Sequence, residues 1–213
     1  KTGFWLYREM VFAPAYYAAG SDKKGKTTYA KTITQAFLDG RRVITSAKGA
    51  KLTDSQRASL RKYAAIIEKN WEQTLAEAVF KYAGSCFKAL NKLKKSQSPK
   101  SLAKYVKYWG ELKGFSLSLQ AGRKNLGETA ARLNRLIGFG PVLMNSSQVV
   151  DINSKGQYVK DQSSGVDNYM VHMLKVQKLM VDKFGVKARA NDALSGLGAM
   201  IKKLGKGAAA END

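Results

Sequence analysis

Residues 54–91 read DSQRASLRKYAAIIEKNWEQTLAEAVFKYAGSCFKALN. Leu60, Ala64, Ile67, Trp71, Leu75, Ala78, Tyr82 and Cys86 follow one another at spacings of three and four, the period of a helix with one apolar face. Thr53 or Asp54 suits the N-cap, because a short side-chain oxygen there can accept from a first-turn N–H. At 1.5 Å per residue the stretch predicts a helix about 57 Å long, the spine of a bundle. Ile66, Phe80, Phe87 and Leu90 widen the stripe, so neighbours should pack on both sides. Cys86 lies within the stripe and reads as a small core residue. A long helix with a two-sided apolar surface implies an all-α fold, a helical bundle.

Working outward, helical periodicity continues and alternating strand patterns are nearly absent. Residues 4–18 predict a first, central helix, and GSDKKGK (20–26) a loop. Residues 28–46 predict a second helix containing Ile33, Ala36 and Phe37. C-terminal to the spine, KKSQSPK (94–100) is a turn, with Pro99 near the first helical position, where its missing N–H costs little. The next helix, about 100–120, directs Leu102, Tyr105, Val106, Trp109, Leu112, Phe115 and Leu119 inward. A fifth covers 127–137 and is stopped by GFGP (138–141). Residues 141–166 form an irregular excursion with short extended pieces. Residues 167–184 predict a helix with Asp167 as its cap and Met170, Met173, Leu174, Met180, Val181 and Phe184 on one face. The expected architecture is a bundle of about six helices: one domain over 1–190. The tail, 191–213, is weakly amphipathic through Leu194, Leu197, Ile201 and Leu204 and partly disordered.

The chain has 213 residues, 37 Lys and Arg against 16 Asp and Glu, and a formal charge of +21. Such a chain repels copies of itself and attracts anions: nucleic acid, acidic lipid, polysaccharide or an acidic protein. Lysine dominates and is spread over nearly every segment, and no helix-turn-helix, RRM or KH signature occurs. Sequence-specific nucleic-acid reading, which uses Arg, Asn and Gln at a focused surface, is not expected. The first residue is Lys1, which suggests a processed or truncated chain. The early apolar stretch is interrupted by Arg8, Glu9 and Pro14, too short and polar to span a bilayer.

Catalytic signals are weak. Cys86 and His172 are the only residues of their types, so neither an internal disulfide nor a multi-histidine metal site can come from this chain alone. No G-x-S-x-G elbow occurs, and GFGP follows a helix instead of opening one. Glu68 and Glu72 stand at i, i+4, but a bundle metal site would need Glu-x-x-His partners. Glu77 and Lys81 read as a helix-surface ion pair, worth roughly 0.3–0.5 kcal/mol. Lys100, Lys104 and Lys107 share one helix face, and with Lys94 and Lys95 they form the candidate face for an anionic partner. Lys202, Lys203 and Lys206 form a second.

Three segments, ITQAFLDGRRVI (33–44), EKNWEQTLAEAVFKYAG (68–84) and KYWGELKGFSLSLQ (107–120), resemble an imelysin-like bacterial family of unknown function. Its members carry a Trp–x–Glu–x–Lys–Gly–Phe run before an apolar half-helix ending in Gln. Here the run is Trp109, Glu111, Lys113, Gly114, Phe115 and Gln120. REMVFAPAYYAAG and RLIGFGPVL are similar to flanking segments. The resemblance implies an imelysin-like fold, an extracytoplasmic setting and a loose link to metal handling. It departs where the family is histidine-rich: GSDKKGKTTYAKTIT has no histidine, Tyr108 precedes Trp109, and MLK follows His172.

The resulting expectation is a non-enzymatic basic scaffold with no cofactor or bound metal. It would be an accessory or structural subunit docking on an acidic partner or anionic surface, within a larger complex. Its expected location is extracytoplasmic (periplasmic or secreted), or organellar after loss of a targeting segment. In this reading Trp109–Gln120 is a packing fingerprint, with Glu111 and Lys113 tying helix ends together. The alternatives are imelysin-like metal or small-ligand handling through Glu111, Glu68 or Glu72, and nonspecific nucleic-acid binding.

Overall fold

The computed structural model describes residues 13–122, 125–144, 148–161 and 165–204. The fold is an all-α helical bundle. Among the described residues it has seven α-helices: α1 (Ala13–Lys23), α2 (Tyr29–Ser46), α3 (Asp54–Ser96), α4 (Pro99–Gln120), α5 (Glu128–Ile137), α6 (Val166–Phe184) and α7 (Leu197–Leu204). A hairpin of β1 (Gln148–Ile152) and β2 (Tyr158–Asp161) interrupts them. The chain divides into two compact units, Lys1–Leu75 and Ala76–Asp213, and α3 contributes residues to both.

In the first unit, α1 runs on to Lys23, past the expected loop start at Gly20. Gly25, at φ +67°, makes the turn. The Asp22 carboxylate holds it, accepting from Thr27 Oγ1 at 2.6 Å and Lys31 N at 3.0 Å. Residues 4–12 of the expected first helix lie outside the described residues. Ile33, Ala36 and Gly40 form the buried side of α2. Phe37 is 61% exposed, because one residue beyond Ala36 turns it off that side. Gly40 admits Leu60 and Tyr63 of α3 so closely that an added Cβ would sit 3.6 and 3.8 Å from them. Thr53 caps α3: its Oγ1 accepts from Gln56 N at 3.2 Å while Gln56 Oε1 accepts from Thr53 N at 2.9 Å, a reciprocal capping box.

In the second unit, α3 continues to Ser96, five residues beyond the expected end. The turn shrinks to Gln97 and Ser98. Ser98 caps α4 by accepting from Ser101 N at 3.3 Å, and Pro99 opens the helix as expected. Ala78 and Cys86 of the predicted stripe are buried, as is Leu75 at the end of the first unit; Tyr82 is half-buried, and Ala76, Val79, Phe80, Ala83 and Leu90 extend the core. In the first unit Leu60, Ile67 and Trp71 are half-buried and Ala64 is exposed. Tyr105, Leu112, Phe115 and Leu119 of α4 face the core, whereas Leu102 and Val106, also expected inside, are 38% and 40% exposed. Those two lie on one flank of α4, turned away from the residues that meet α3.

α6 is the central element of this unit, buried on nearly every side from Tyr169 to Met180 and not on one face alone. Gly165 is its N-cap; Asp167, the expected cap, sits in the first turn and pairs with Lys94 of α3. Gly138, at φ +77°, ends α5 where GFGP was expected to stop it. The excursion at 141–166 carries the antiparallel hairpin, irregular between Val149 and Asp151 and with exposed Ile152, Tyr158 and Val159.

α6 ends at Gly185 in the left-handed region, and the chain then runs along α3 without helical structure. Ala188 N donates to Glu77 Oε1 at 3.4 Å. Asn191 Nδ2 donates to Ser85 Oγ at 2.9 Å. Gln177, fully buried on α6, clasps the same segment: its Nε2 donates to Asn191 O at 3.1 Å and Phe80 O at 3.0 Å, and its Oε1 accepts from Ala193 N at 3.0 Å. The expected tail therefore begins with a latch on α3, followed by a 3₁₀ turn at Leu194–Gly196 and α7.

Candidate functional site

An α-helix leaves its last carbonyls without partners inside the helix. For α5 those carbonyls fall where α4 and α6 converge. Tyr169 OH donates to Ile137 O at 2.7 Å. Trp109 Nε1 donates to Tyr169 OH at 2.9 Å and to Ile137 O at 3.3 Å. Lys113 Nζ donates to Gly138 O at 2.9 Å, and lies 5.8 Å above the centre of the Phe139 ring. At the other end of α4, Gln120 and Asn134 exchange side-chain hydrogen bonds at 2.9 and 3.2 Å. Trp109, Lys113 and Gln120 thus secure one neighbour, the last turn of α5. A lysine at the negative end of a helix dipole is electrostatically well placed.

Phe115 is buried and stacks on Tyr82 of α3 with ring centres 5.4 Å apart. Gly114 is half-buried and its carbonyl accepts from Ser118 Oγ at 3.0 Å. Glu111 does not reach a neighbouring helix end: it lies 3.8 Å from Lys107 on its own helix. The motif is therefore brought together as a set of interhelical ties, with Glu111 outside them.

Burial sets the acid–base character of this region. It raises the Cys86 thiol far above its ordinary range, the Glu111 charge adding to the effect, so the sulfur stays protonated and unreactive. Burial also raises Tyr105, and Tyr169 well above the usual phenol value, which keeps Tyr169 OH a donor. Lys113 is shifted down by burial. Its proton leaves the folded state at a lower pH than the unfolded state, so this group makes stability rise as pH climbs through the folded pKa toward 10.5. Lys113→Met should lack that rise. Denaturant unfolding at pH 8 and pH 10 should show the stability gap between parent and variant widening; a constant gap would show that Lys113 is not desolvated in the fold.

His172 is buried, edge-on to Tyr169 with ring centres 6.1 Å apart. Glu77 and Lys81, expected on the helix surface, are not exposed: Glu77 is fully buried and its Oε1 accepts from Ala188 N, and half-buried Lys81 places Nζ 4.7 Å from the centre of the Tyr82 ring. Glu68 and Glu72 are half-buried in the first unit. Among the described residues no group of three or more His, Cys, Asp or Glu is placed to hold a metal ion, and no helix is long and apolar enough to cross a membrane.

The candidate lysine face needs one correction. Lys94 joins α3 to α6 through Asp167 and lies apart from the others. Lys95, Lys100, Lys104 and Lys107 are exposed, with Lys104 Nζ 5.8 Å from the Tyr108 ring centre. Lys202 and Lys203 are exposed on α7, and Lys206 lies outside the described residues. Two features escaped the sequence reading. Lys88 and Lys92, at i−7 and i−3 from Lys95, are also exposed. The Gly84–Gln177–Asn191 latch had one signal, an isolated glycine within a helical apolar run. Comparisons with protein families, with curated proteins and with solved structures gave no match.

Proposed function

We propose that this chain is a non-enzymatic, basic helical binding protein, an accessory or structural subunit of imelysin-like type that docks on an acidic partner or anionic surface. The observation that carries the reading is where the charged and polar groups of the motif go. Trp109, Lys113 and Gln120 serve helix junctions, whereas the exposed surface of α3 and α4 carries more lysines than the two acids, Asp167 and Glu111, that meet them there among the described residues. Such a surface attracts polyanions, and exposed charges steer partners while contributing little to folding stability. The test is a panel of polyglutamate, phosphatidylserine vesicles and duplex DNA titrated against the purified chain at low and raised salt. Binding to at least one, weakening as salt rises, is expected. Absence of binding to all three at low salt would overturn the reading, as would one equivalent of iron or zinc retained after dialysis against chelator.

A further inference from the structure

Between Ala78 and Gly110 the chain has eight lysines and no Asp, Glu or Arg. α3 and α4 pair antiparallel over this stretch: Tyr82 stacks on Phe115 and meets Tyr108 at 6.3 Å, and Ser96 Oγ meets Ser101 Oγ at 2.8 Å. At about 3.6 residues per turn, Lys88, Lys92 and Lys95 are rotated from the line of contact in one sense. Lys100, Lys104 and Lys107 are rotated from it in the same sense on α4. In an antiparallel pair, equal senses of rotation fall on the same side of the hairpin. All six are exposed. Lys94 is rotated the other way, toward Asp167, and the exposed Leu102 and Val106 also lie on that other side.

We propose that this six-lysine flank of the α3–α4 hairpin is a binding face for the phosphate backbone of duplex nucleic acid, engaged without regard to base sequence. The inference rests on the anionic-docking reading above and names its partner. Each stripe runs about 10 Å along its helix at 1.5 Å per residue, and neighbouring helices lie roughly 8–10 Å apart. The six ammonium groups therefore cover a compact patch. Glu111 lies 3.8 Å from Lys107, and at the other end Lys88 Nζ donates to Asn191 Oδ1 of the latch at 3.3 Å. Protein interfaces concentrate Arg and aromatic anchors at their centres and are depleted in Lys; this flank is lysine alone. Stable membrane attachment adds an inserted apolar group to basic charge, and the apolar side chains exposed on this hairpin are on the opposite flank. Lysine acts as a point charge on phosphate, and its binding is driven by counterions released from the densely charged duplex. Without Arg, Asn or Gln at its centre the face has no fork for base edges.

The experiment uses the full chain, a short mixed-sequence duplex, and two variants. One replaces Lys88, Lys92, Lys95, Lys100, Lys104 and Lys107 with Gln. The other removes equal charge from the first unit by replacing the exposed Lys23, Lys24, Lys26, Lys31, Lys48 and Lys51 with Gln. For six neutralised phosphates, log K against log salt should have a slope near −5, so parent affinity falls roughly 10³-fold between about 50 and 200 mM salt. The first variant should lose at least about 100-fold at the lower salt and most of the slope, roughly one unit for each lysine; the charge-matched variant should keep the slope. Equal losses in both variants would overturn the inference, leaving only net charge. Binding to polyglutamate or phosphatidylserine vesicles without binding to the duplex would overturn it while leaving the anionic-docking reading intact. Failure of all three polyanions would remove both.

Discussion

Gly84→Ala should destabilise this protein by about 3 kcal/mol or more, although the same change in the middle of a helix ordinarily stabilises by roughly 0.5–1 kcal/mol. An ideal Cβ at position 84 would stand 2.0 Å from Asn191 O, 2.5 Å from Gln177 Nε2 and 3.0 Å from Asn191 C. Two of these atoms are backbone, and the third belongs to a fully buried side chain held at both ends by hydrogen bonds. None can move away cheaply. Overpacking costs about 1–3 kcal/mol even where side chains can give; here the latch must lift from α3, leaving the Gln177 amide and Asn191 O without their partners, at about 1–3 kcal/mol for each buried group. A domain of this size should lose on the order of 10 °C in melting temperature. Gly110 supplies the contrast. It is exposed on α4 with nothing within 4 Å of an added Cβ, so Gly110→Ala should leave the melting temperature unchanged or raise it. If both variants behave alike, segment 186–193 is not seated against α3.

Trp109→Ala should cost about 3 kcal/mol, the lower end of the range for aromatic truncation, because the indole is half-buried. The loss has two parts. Apolar contact disappears, and the donor bridging Tyr169 OH and Ile137 O goes with it. Trp109→Phe isolates the second part and should cost about 1 kcal/mol. Tyr169→Phe removes the closer donor to Ile137 O, at 2.7 Å. Since Trp109 donates to the tyrosine hydroxyl itself, the double Phe variant should be less destabilised than the sum of the two, with a coupling of roughly 0.5 kcal/mol or more. Thermal melts of the four proteins measure the cycle. Strict additivity would mean that the two groups act independently, and an Ala variant melting like the parent would remove the α5 junction from the fold's support.

What the sequence could convey depended on range. The spine helix was legible because its apolar repeat and its N-cap at Thr53 are local, while its end lies five residues beyond the predicted one. The limits of α4 and α5 were legible for the same reason. Periodicity does not choose between adjacent apolar residues, so it directs Leu102 and Val106 inward, where the structure exposes them. Trp109, Lys113 and Gln120 read as packing residues from the sequence, but their targets, the carbonyls of Ile137 and Gly138 and the side chain of Asn134, required the tertiary structure. Glu111 was grouped with them by spacing alone, and it stays on its own helix. The lysine flank was half legible: the α4 stripe follows from spacing, whereas replacing Lys94 by Lys88 and Lys92 required the pairing sense of the hairpin. The latch was least visible, because segment 186–193 has no period and its partners lie far away in sequence.

That distance also governs how the molecule is made. The bonds Asn191–Ser85 and Ala188–Glu77 close across 106 and 111 residues. During translation at about 5–20 residues per second, the Gly84 side of α3 leaves the ribosome roughly 5–20 s before the strand that covers it exists. Throughout that interval the growing chain carries an open seam beside its longest helix, available to chaperones and to misplaced neighbours alike. Late closure also sets the order of assembly: α4, α5 and α6 can dock as they emerge, and the seam is sealed only once segment 186–193 has followed them.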